Sequence, residues 1–249
     1  MLISGIITTY NEEENIEAAL ASMSWVDEMI VVDSFSTDKT MEIAKQNGAA
    51  VFQRIYVNPA DQKNWIIPQA KNPWIFILDA DERCTAELRS EIQNKIEHGP
   101  KCDAYWIPRA NIFMGKKVRF SGWQGDKVIR FFKRDMCRYN DKWVHEEIET
   151  SGSVCSLKSK MVHNTYKDIQ HYEEKMQRYA EYAVQDLLRK KRSVGFFHLY
   201  IKPAARFIKH YFIDLGILDG KVGYIISKMS ARSVFLKYSR LKDHLNQTD

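Results

Sequence analysis

Hydrophobic positions in the first hundred residues fall in short runs separated by stretches of helical character. Residues 3–9, 29–32, 50–52 and 74–78 read as strands, because each is apolar, rich in branched or aromatic side chains, and too short for a helix. Between them, 13–23, 40–47, 61–70 and 85–97 read as helices. The first carries acidic residues in its opening turn, the second is capped by Ser36-Thr37-Asp38 and stopped at Gly48, and the third is irregular near Pro68. Strand–helix alternation of this kind predicts an α/β fold, a mainly parallel sheet with helices on both faces. Beyond residue 103 the rhythm changes. Residues 104–107, 128–132 and 147–149 read as further strands joined by aromatic, basic loops, and 168–191 as a long helix. From 193 to 241 apolar residues recur at helical spacing (Phe196 and Tyr200, then Phe207, Tyr211 and Leu215), with Pro203 suited to open a second helix.

Charge divides the chain unevenly. Residues 1–188 hold 24 Lys/Arg against 28 Asp/Glu, whereas residues 189–249 hold 13 against 4. Lys202, Arg206 and Lys209 interleave with the tail aromatics, the pattern of an amphipathic helix lying on an anionic membrane, or of a solvated helix face. No nucleic-acid-binding motif accompanies the charge, so nucleic acid is not expected as a partner. The four cysteines lack metal-ligand spacing, which argues against a zinc site and against a small disulfide scaffold. The chain opens directly on a strand pattern, and no stretch reaches the roughly 18 apolar residues needed to span a bilayer. A cytoplasmic protein with at most peripheral membrane contact is the expectation.

Candidate chemistry sits where strands end, since ligands of open α/β sheets bind beyond the carboxyl ends of the strands. Asp79-Ala80-Asp81 follows the buried run 74–78. Carboxylates two apart at a strand end project to one side and suit a hard divalent cation that would neutralise a diphosphate; the bland alternative is a cap for the next helix. Asp33 could accept from a nucleobase or ribose, or simply make a turn. Tyr10 could pack on a base. No G-x-G-x-x-G or G-x-x-x-x-G-K-[ST] sequence is present, which disfavours a nicotinamide dinucleotide and a P-loop nucleotidase.

Four blocks in order, Ile7-Thr8-Thr9-Tyr10-Asn11-Glu12-Glu13, Val32-Asp33-Ser34-Phe35-Ser36-Thr37-Asp38-Lys39-Thr40, Gln62-Lys63-Asn64 and Leu78-Asp79-Ala80-Asp81-Glu82, resemble the family 2 glycosyltransferases of GT-A (Rossmann-like) fold. Later blocks resemble the bacterial lipopolysaccharide-core β-glucosyltransferase subgroup: Trp123-Gln124-Gly125-Asp126 with Arg130-Phe131-Phe132, Val144-His145-Glu146, His163-Asn164-Thr165-Tyr166, and the tail segments Lys202-Pro203, Arg206-Phe207 and Gly216-Ile217-Leu218-Asp219-Gly220. The resemblance implies that Thr9, Tyr10, Glu12 and Asp33 contact the nucleotide, that Lys63 lies near ribose or diphosphate, and that Asp79 and Asp81 serve ribose and a Mg²⁺ or Mn²⁺ ion. It also implies a UDP-sugar donor, glucose above other sugars, and an inner-core or other lipid-linked saccharide acceptor at the inner face of the cytoplasmic membrane. Phe35 stands where many members have Gly.

Inverting transfer needs one carboxylate base. Asp126 is the first candidate and Glu146, beside His145, the second. Asp126 could instead pair with Lys127 or Arg130, and Arg130 could bind donor phosphate or pair with an acid. His145, Glu146 and His163 lack the spacing of a standard zinc motif. The expected domains are a GT-A catalytic domain at 1–167, with a nucleotide-sugar and metal half (1–100) and an acceptor half (101–167), and a C-terminal amphipathic helical extension at 168–249. Alternatives are the same fold acting on a capsule, teichoic or protein-linked glycan, and a non-catalytic nucleotide-sugar-binding membrane scaffold.

Overall fold

The computed structural model describes residues 1–140, 147–189 and 194–248. The chain forms two compact units, Met1–Ala110 with Asp126–His163, and Asn111–Gly125 with Asn164–Asp249. The second unit thus begins four residues before the expected boundary at 168, and it includes a segment from within the expected acceptor half.

In the first unit, β1 (Ile3–Thr9), α1 (Ile16–Ser22), β2 (Glu28–Asp33), α2 (Thr40–Gln46), β3 (Ala50–Gln53), α3 (Pro59–Ile66) and β4 (Trp74–Asp79) follow the alternation read from sequence. After them come β5 (Glu82–Arg83), α4 (Ala86–Glu97), and β6 (Ala104–Phe113), which continues into the second unit. The sheet runs β3-β2-β1-β4, all parallel, and continues through the antiparallel β8 (Lys127–Lys133) to β6. The order reverses between β1 and β4, where a crevice opens beyond the strand ends in folds of this type.

Register brings those ends level. Thr8 lies opposite Asp79, Thr9 opposite Asp33, and Asp33 opposite Gln53. Strand alternation explains the core: Ile7, Val31, Trp74, Phe76, Leu78 and Phe131 fill one face with α1 and α4, while Ile6, Ile30, Val32, Ile75, Ile77 and Phe132 fill the other with α3. A sheet buried on both faces has no polar side, which is why its strands read as continuous apolar runs.

Cys102 and Cys155 are joined as a disulfide, with Cα atoms 5.9 Å apart, where β11 (Val154–Ser156) runs parallel to the start of β6. Their separation of 53 residues left no sign of this pairing in the sequence. Cys84 and Cys137 are buried thiols, and burial pushes the Cys84 thiol up to about 12. Short strands β9 (Cys137–Tyr139) and β10 (Ile148–Thr150) pair antiparallel.

In the second unit, β7 (Lys116–Lys117) folds back on the end of β6, and Phe113 meets Trp123, Tyr166 and Tyr172 edge-on. Here β12 (Met161–Tyr166) leads into α5 (Ile169–Arg189). The tail keeps the expected helix opening at Pro203 but departs from regular helical geometry on either side of it. A wide π-helical turn at Phe197–Ile201 precedes α6 (Lys202–Ile208), which has Pro203 in its first turn, and a second wide turn covers Lys209–Ile213. The helix then stops at Leu215, whose φ is 57°. Residues Gly216–Asp219 make one 3₁₀ turn, and α7 (Lys221–Thr248) follows. Leu215 sits at the right interval but in the left-handed region, which no helix continues through. No helix among the described residues is long and apolar enough to cross a membrane.

Candidate active site

Two loops leaving β1 and β2 lock together. Asn11 N–H donates to Ser36 Oγ at 2.8 Å, and Thr37 N–H returns to Asn11 Oδ1 at 2.8 Å. Glu13 N–H donates to Asp38 Oδ2 at 3.1 Å, and Lys39 N–H to Glu13 Oε2 at 3.0 Å. Residues 11–14 therefore serve the brace rather than the helix, and α1 starts at Ile16 instead of Glu13. Asn11 (φ 52°) and Phe35 (φ 62°) both hold left-handed backbone there.

Asp33 is fully buried. Its carboxylate accepts from Ser36 N–H at 2.9 Å, from the Ser36 hydroxyl, and from Gln53 at 3.4 Å. These bonds make Asp33 the anchor of the turn that carries Phe35. Thr9 is also buried, and its hydroxyl meets no hydrogen-bond partner among the described residues, whereas Tyr10 is half exposed. Glu12 takes the Asn15 amide at 2.6 Å, and its own N–H donates to Thr40 Oγ1.

Asp79, at the end of β4, is the charge centre. Oδ1 accepts from Thr8 Oγ1 at 2.8 Å and lies 3.1 Å from Lys63 Nζ, while Oδ2 is bonded by Arg130. Burial works against its ionisation, yet the positive charges of Arg130 and Lys63, with the Thr8 hydrogen bond, hold the carboxyl well below the usual range. Lys63 is itself buried, 5.2 Å above the Tyr139 ring. Of the two roles open to Arg130, the structure places it on acids: beyond Asp79, its Nη2 lies 3.1 and 3.0 Å from the two oxygens of Glu82.

Asp81 takes a different neighbour. The chain turns at Ala80-Asp81, so the same-side geometry of a straight strand does not reach Asp81. Its Oδ2 lies 3.7 Å from His163 Nε2, on the strand paired with β5. His163 shares no standard metal-motif spacing with His145 and Glu146, and it is the β5–β12 register that brings it to Asp81. Arg83 bonds the carbonyls of Ala80, Glu82 and Asn15; burial lowers its pKa against the pull of Asp81 and Glu12.

Asp126 accepts a fork from Arg109, Nε to Oδ2 at 2.9 Å and Nη2 to Oδ1 at 2.8 Å, so its cationic partner is Arg109 rather than Lys127 or Arg130. Arg109 and Glu82 were not singled out from sequence. Glu146, the second base candidate, and His145 lie outside the described residues.

Asp79 lies against two cations, Lys63 and Arg130, whose charge would oppose a divalent ion beside it, whereas Asp81 faces His163. Among the described residues no three His, Cys, Asp or Glu side chains converge as a metal cluster. Asp81 and His163 are the side chains here that could hold a Mg²⁺ or Mn²⁺ ion, which would supply positive charge toward a substrate diphosphate.

Comparisons with known proteins agree with this architecture. Residues 4–157 match the model of Glycosyl transferase family 2. An uncharacterized glycosyltransferase of Rickettsia felis is 27% identical over 98% of this chain and 90% of its own length. The lipopolysaccharide core biosynthesis glycosyltransferase LpsC of Rhizobium meliloti is 23% identical over 99% of this chain and 96% of its own. Among solved structures, S. aureus TarS 1-349 in complex with UDP superposes with a TM-score of 0.50 at 17% identity, covering 100% of this chain and 92% of that one. With the GT-A sheet, the levelled strand ends and a family match across most of the first unit, the chain belongs to glycosyltransferase family 2 and is a glycosyltransferase.

Proposed function

We propose that the protein is an inverting transferase that moves a hexose, glucose first among candidates, from a UDP-sugar to the lipopolysaccharide inner core or another lipid-linked saccharide. The observation that carries this reading is the rim where Asp79 sits between Lys63 and Arg130 while Asp81 faces His163. Two cations beside a clamped carboxylate favour an anionic diphosphate with hydroxyls to bond. The buried Thr9 hydroxyl and exposed Tyr10 ring supply a polar edge and an apolar face for uridine, the nucleotide of the TarS complex. Glu12 and Asp33 act in this scheme by holding the two loops that frame the nucleotide. The acceptor class follows the LpsC relative.

Asp81 and His163 would hold the divalent ion, which when bound offsets the charge developing on the departing diphosphate. The acceptor hydroxyl attacks the anomeric carbon from the side opposite the diphosphate, and its proton passes to Asp126, oriented by Arg109. The tail supports work at an anionic membrane surface. Phe196, Phe197, Tyr200, Phe212 and Ile213 are each more than half exposed, with Lys202 and Arg206 among them.

The test is transfer from UDP-glucose to core-truncated lipopolysaccharide with added Mn²⁺. Asp81→Ala and His163→Ala are expected to lose at least about 100-fold in kcat and to lose Mn²⁺ binding seen by calorimetry. If Asp81→Ala keeps the wild-type rate at saturating Mn²⁺, the metal assignment is wrong.

A further inference from the structure

Glu82 is fully buried, the first residue after the Ala80-Asp81 turn. Its Oε2 accepts the Asp79 N–H at 3.0 Å, Arg130 Nη2 bridges both its oxygens, and Arg109 Nη1 lies 3.3 Å from Oε1. The remaining donors of Arg109 form the fork on Asp126. A continuous chain of ion pairs thus runs Asp79–Arg130–Glu82–Arg109–Asp126 through three strands, β4, β8 and β6, with Glu82 on β5 as its middle link.

We propose that Glu82 and Arg109 are positioning residues of the transfer reaction, with buried Glu82 setting Arg130 on the donor-side Asp79 and Arg109 on the base Asp126. The proposal rests on the reading of Asp126 as the base. Three features support it over a purely structural network. A buried ion network is a poor source of stability, because desolvating five charged groups costs about as much as their attraction returns. Both ends of this chain emerge at the rim, on carboxylates 37% and 25% exposed, whereas the middle is sealed. A planar guanidinium forked on a carboxylate fixes its plane as well as its distance, which a base aligned on one hydroxyl requires and a simple charge pair does not. Glu82 is central because Arg109 and Arg130, two like charges, can lie side by side only with a carboxylate between them.

Among the described residues, the charged groups that act on Arg109 beside Asp126 are Glu82 from β5 and Arg130 from β8; Lys127, next to Asp126, is turned over the Trp106 ring at 5.1 Å. Burial disfavours charge on Arg109, but the bonds to Asp126 and the charge of Glu82 raise its pKa above the ordinary value, so it stays cationic wherever the enzyme works.

The experiment measures kcat, acceptor KM, the pH dependence of kcat and UDP affinity by calorimetry for Arg109→Lys, Arg109→Gln, Glu82→Gln and Asp126→Asn. Thermal melts give the folded fraction of each. Arg109→Lys keeps the charge and loses the fork: kcat is expected to fall about 10- to 100-fold with UDP affinity within about threefold and the acid limb of the profile unmoved. Arg109→Gln also removes the charge, so the acid limb of kcat moves to higher pH. Glu82→Gln lowers kcat and weakens UDP binding together. If both Arg109 variants keep kcat within twofold, or lose activity only in proportion to the unfolded fraction, the positioning role is overturned. Asp126→Asn separates the two readings. Retained kcat in that variant removes the base assignment and with it the Arg109 role, while weakened UDP binding in Glu82→Gln then still supports the Arg130 half. Unchanged UDP binding in Glu82→Gln overturns that half.

Discussion

Gly223 gives the sharpest stability test. It sits in the first turn of α7, and a Cβ built there would lie 1.8 Å from the carbonyl oxygen of Gly216, 2.7 Å from its carbonyl carbon and 3.1 Å from Asp219 Cβ. On helix propensity alone Gly→Ala stabilises by about 1 kcal/mol. The contact reverses that sign. Its partner is backbone, so no side chain can swing aside, and the Gly216–Asp219 turn has to retreat by roughly 1.5 Å or more to restore ordinary van der Waals separation.

That turn is not free to retreat. Gly216 is itself tightly enclosed, since a Cβ built on it would lie 2.5 Å from the His210 carbonyl oxygen. The Asp219 carboxylate accepts the N–H groups of Arg119 and Phe120 at 3.0 Å each and the Ser121 hydroxyl at 2.8 Å. Hydrogen bonds to a charged group contribute about 1.5–3 kcal/mol each, so losing two of them outweighs the propensity gain severalfold. Gly223→Ala is expected to destabilise by about 2–4 kcal/mol, and for a chain of this length to lower Tm by about 5–15 °C. Urea titration and thermal melts followed by circular dichroism read the change, with Asp219→Ala as the companion that removes the bonds without the clash. A Gly223→Ala protein as stable as wild type would refute the argument, since it would mean that the turn yields at no cost.

Acid stability follows from Asp79. Its folded pKa is depressed, so its contribution is complete above the unfolded value near 3.8 and is lost as pH falls through the lower folded value. Lys63→Met removes one of the two cations, and its acid unfolding in a pH titration is expected to begin at higher pH than in wild type; an unchanged midpoint would discount the pair. Phe35→Gly relieves a left-handed φ of 62° in a half-exposed side chain, and Tm should rise by the equivalent of about 0.5–1 kcal/mol. A fall in Tm would show that the ring packs more than its exposure suggests. The double variant Phe212→Asp/Ile213→Asp should lose cosedimentation with phosphatidylglycerol vesicles while keeping its melting curve, because both side chains are exposed and both new charges oppose an anionic surface. Retained vesicle binding would place the contact elsewhere.

The parallel strands were legible because each is buried on both faces and so carries an uninterrupted apolar run bounded by turn residues. The ends of the helices were less so. α1 begins three residues late because Glu13 is used across to Lys39, and no local pattern records a bond over 26 residues. The tail aromatics kept a helical interval through Leu215 although the backbone reverses there, since periodicity senses which side chains share a face and not whether the intervening φ angles permit it. His163 was visible as a histidine but not as a neighbour of Asp81, which depends on the β5–β12 pairing.

Within the site the same division has a physical origin. Thr8, Asp33 and Asp79 stand at the ends of neighbouring parallel strands, so a few consecutive residues fix both their type and their place, and a sequence motif is enough to find them. Glu82, Arg109 and Arg130 form a set whose members lie 27 and 48 residues apart; Glu82 and Arg130 fall inside sequence blocks, but nothing local links either of them to Arg109. What distinguishes them is burial, which turns a charge that water would screen into one that must be matched by a partner of opposite sign and fitting shape. Residues at the ends of the parallel strands are therefore readable in the chain, while the ion pairs that surround them emerge only when the strands are paired. In the proposed mechanism Glu82 and Arg109 would hold the orientation of Asp79 and Asp126, and no motif in the chain records that pairing.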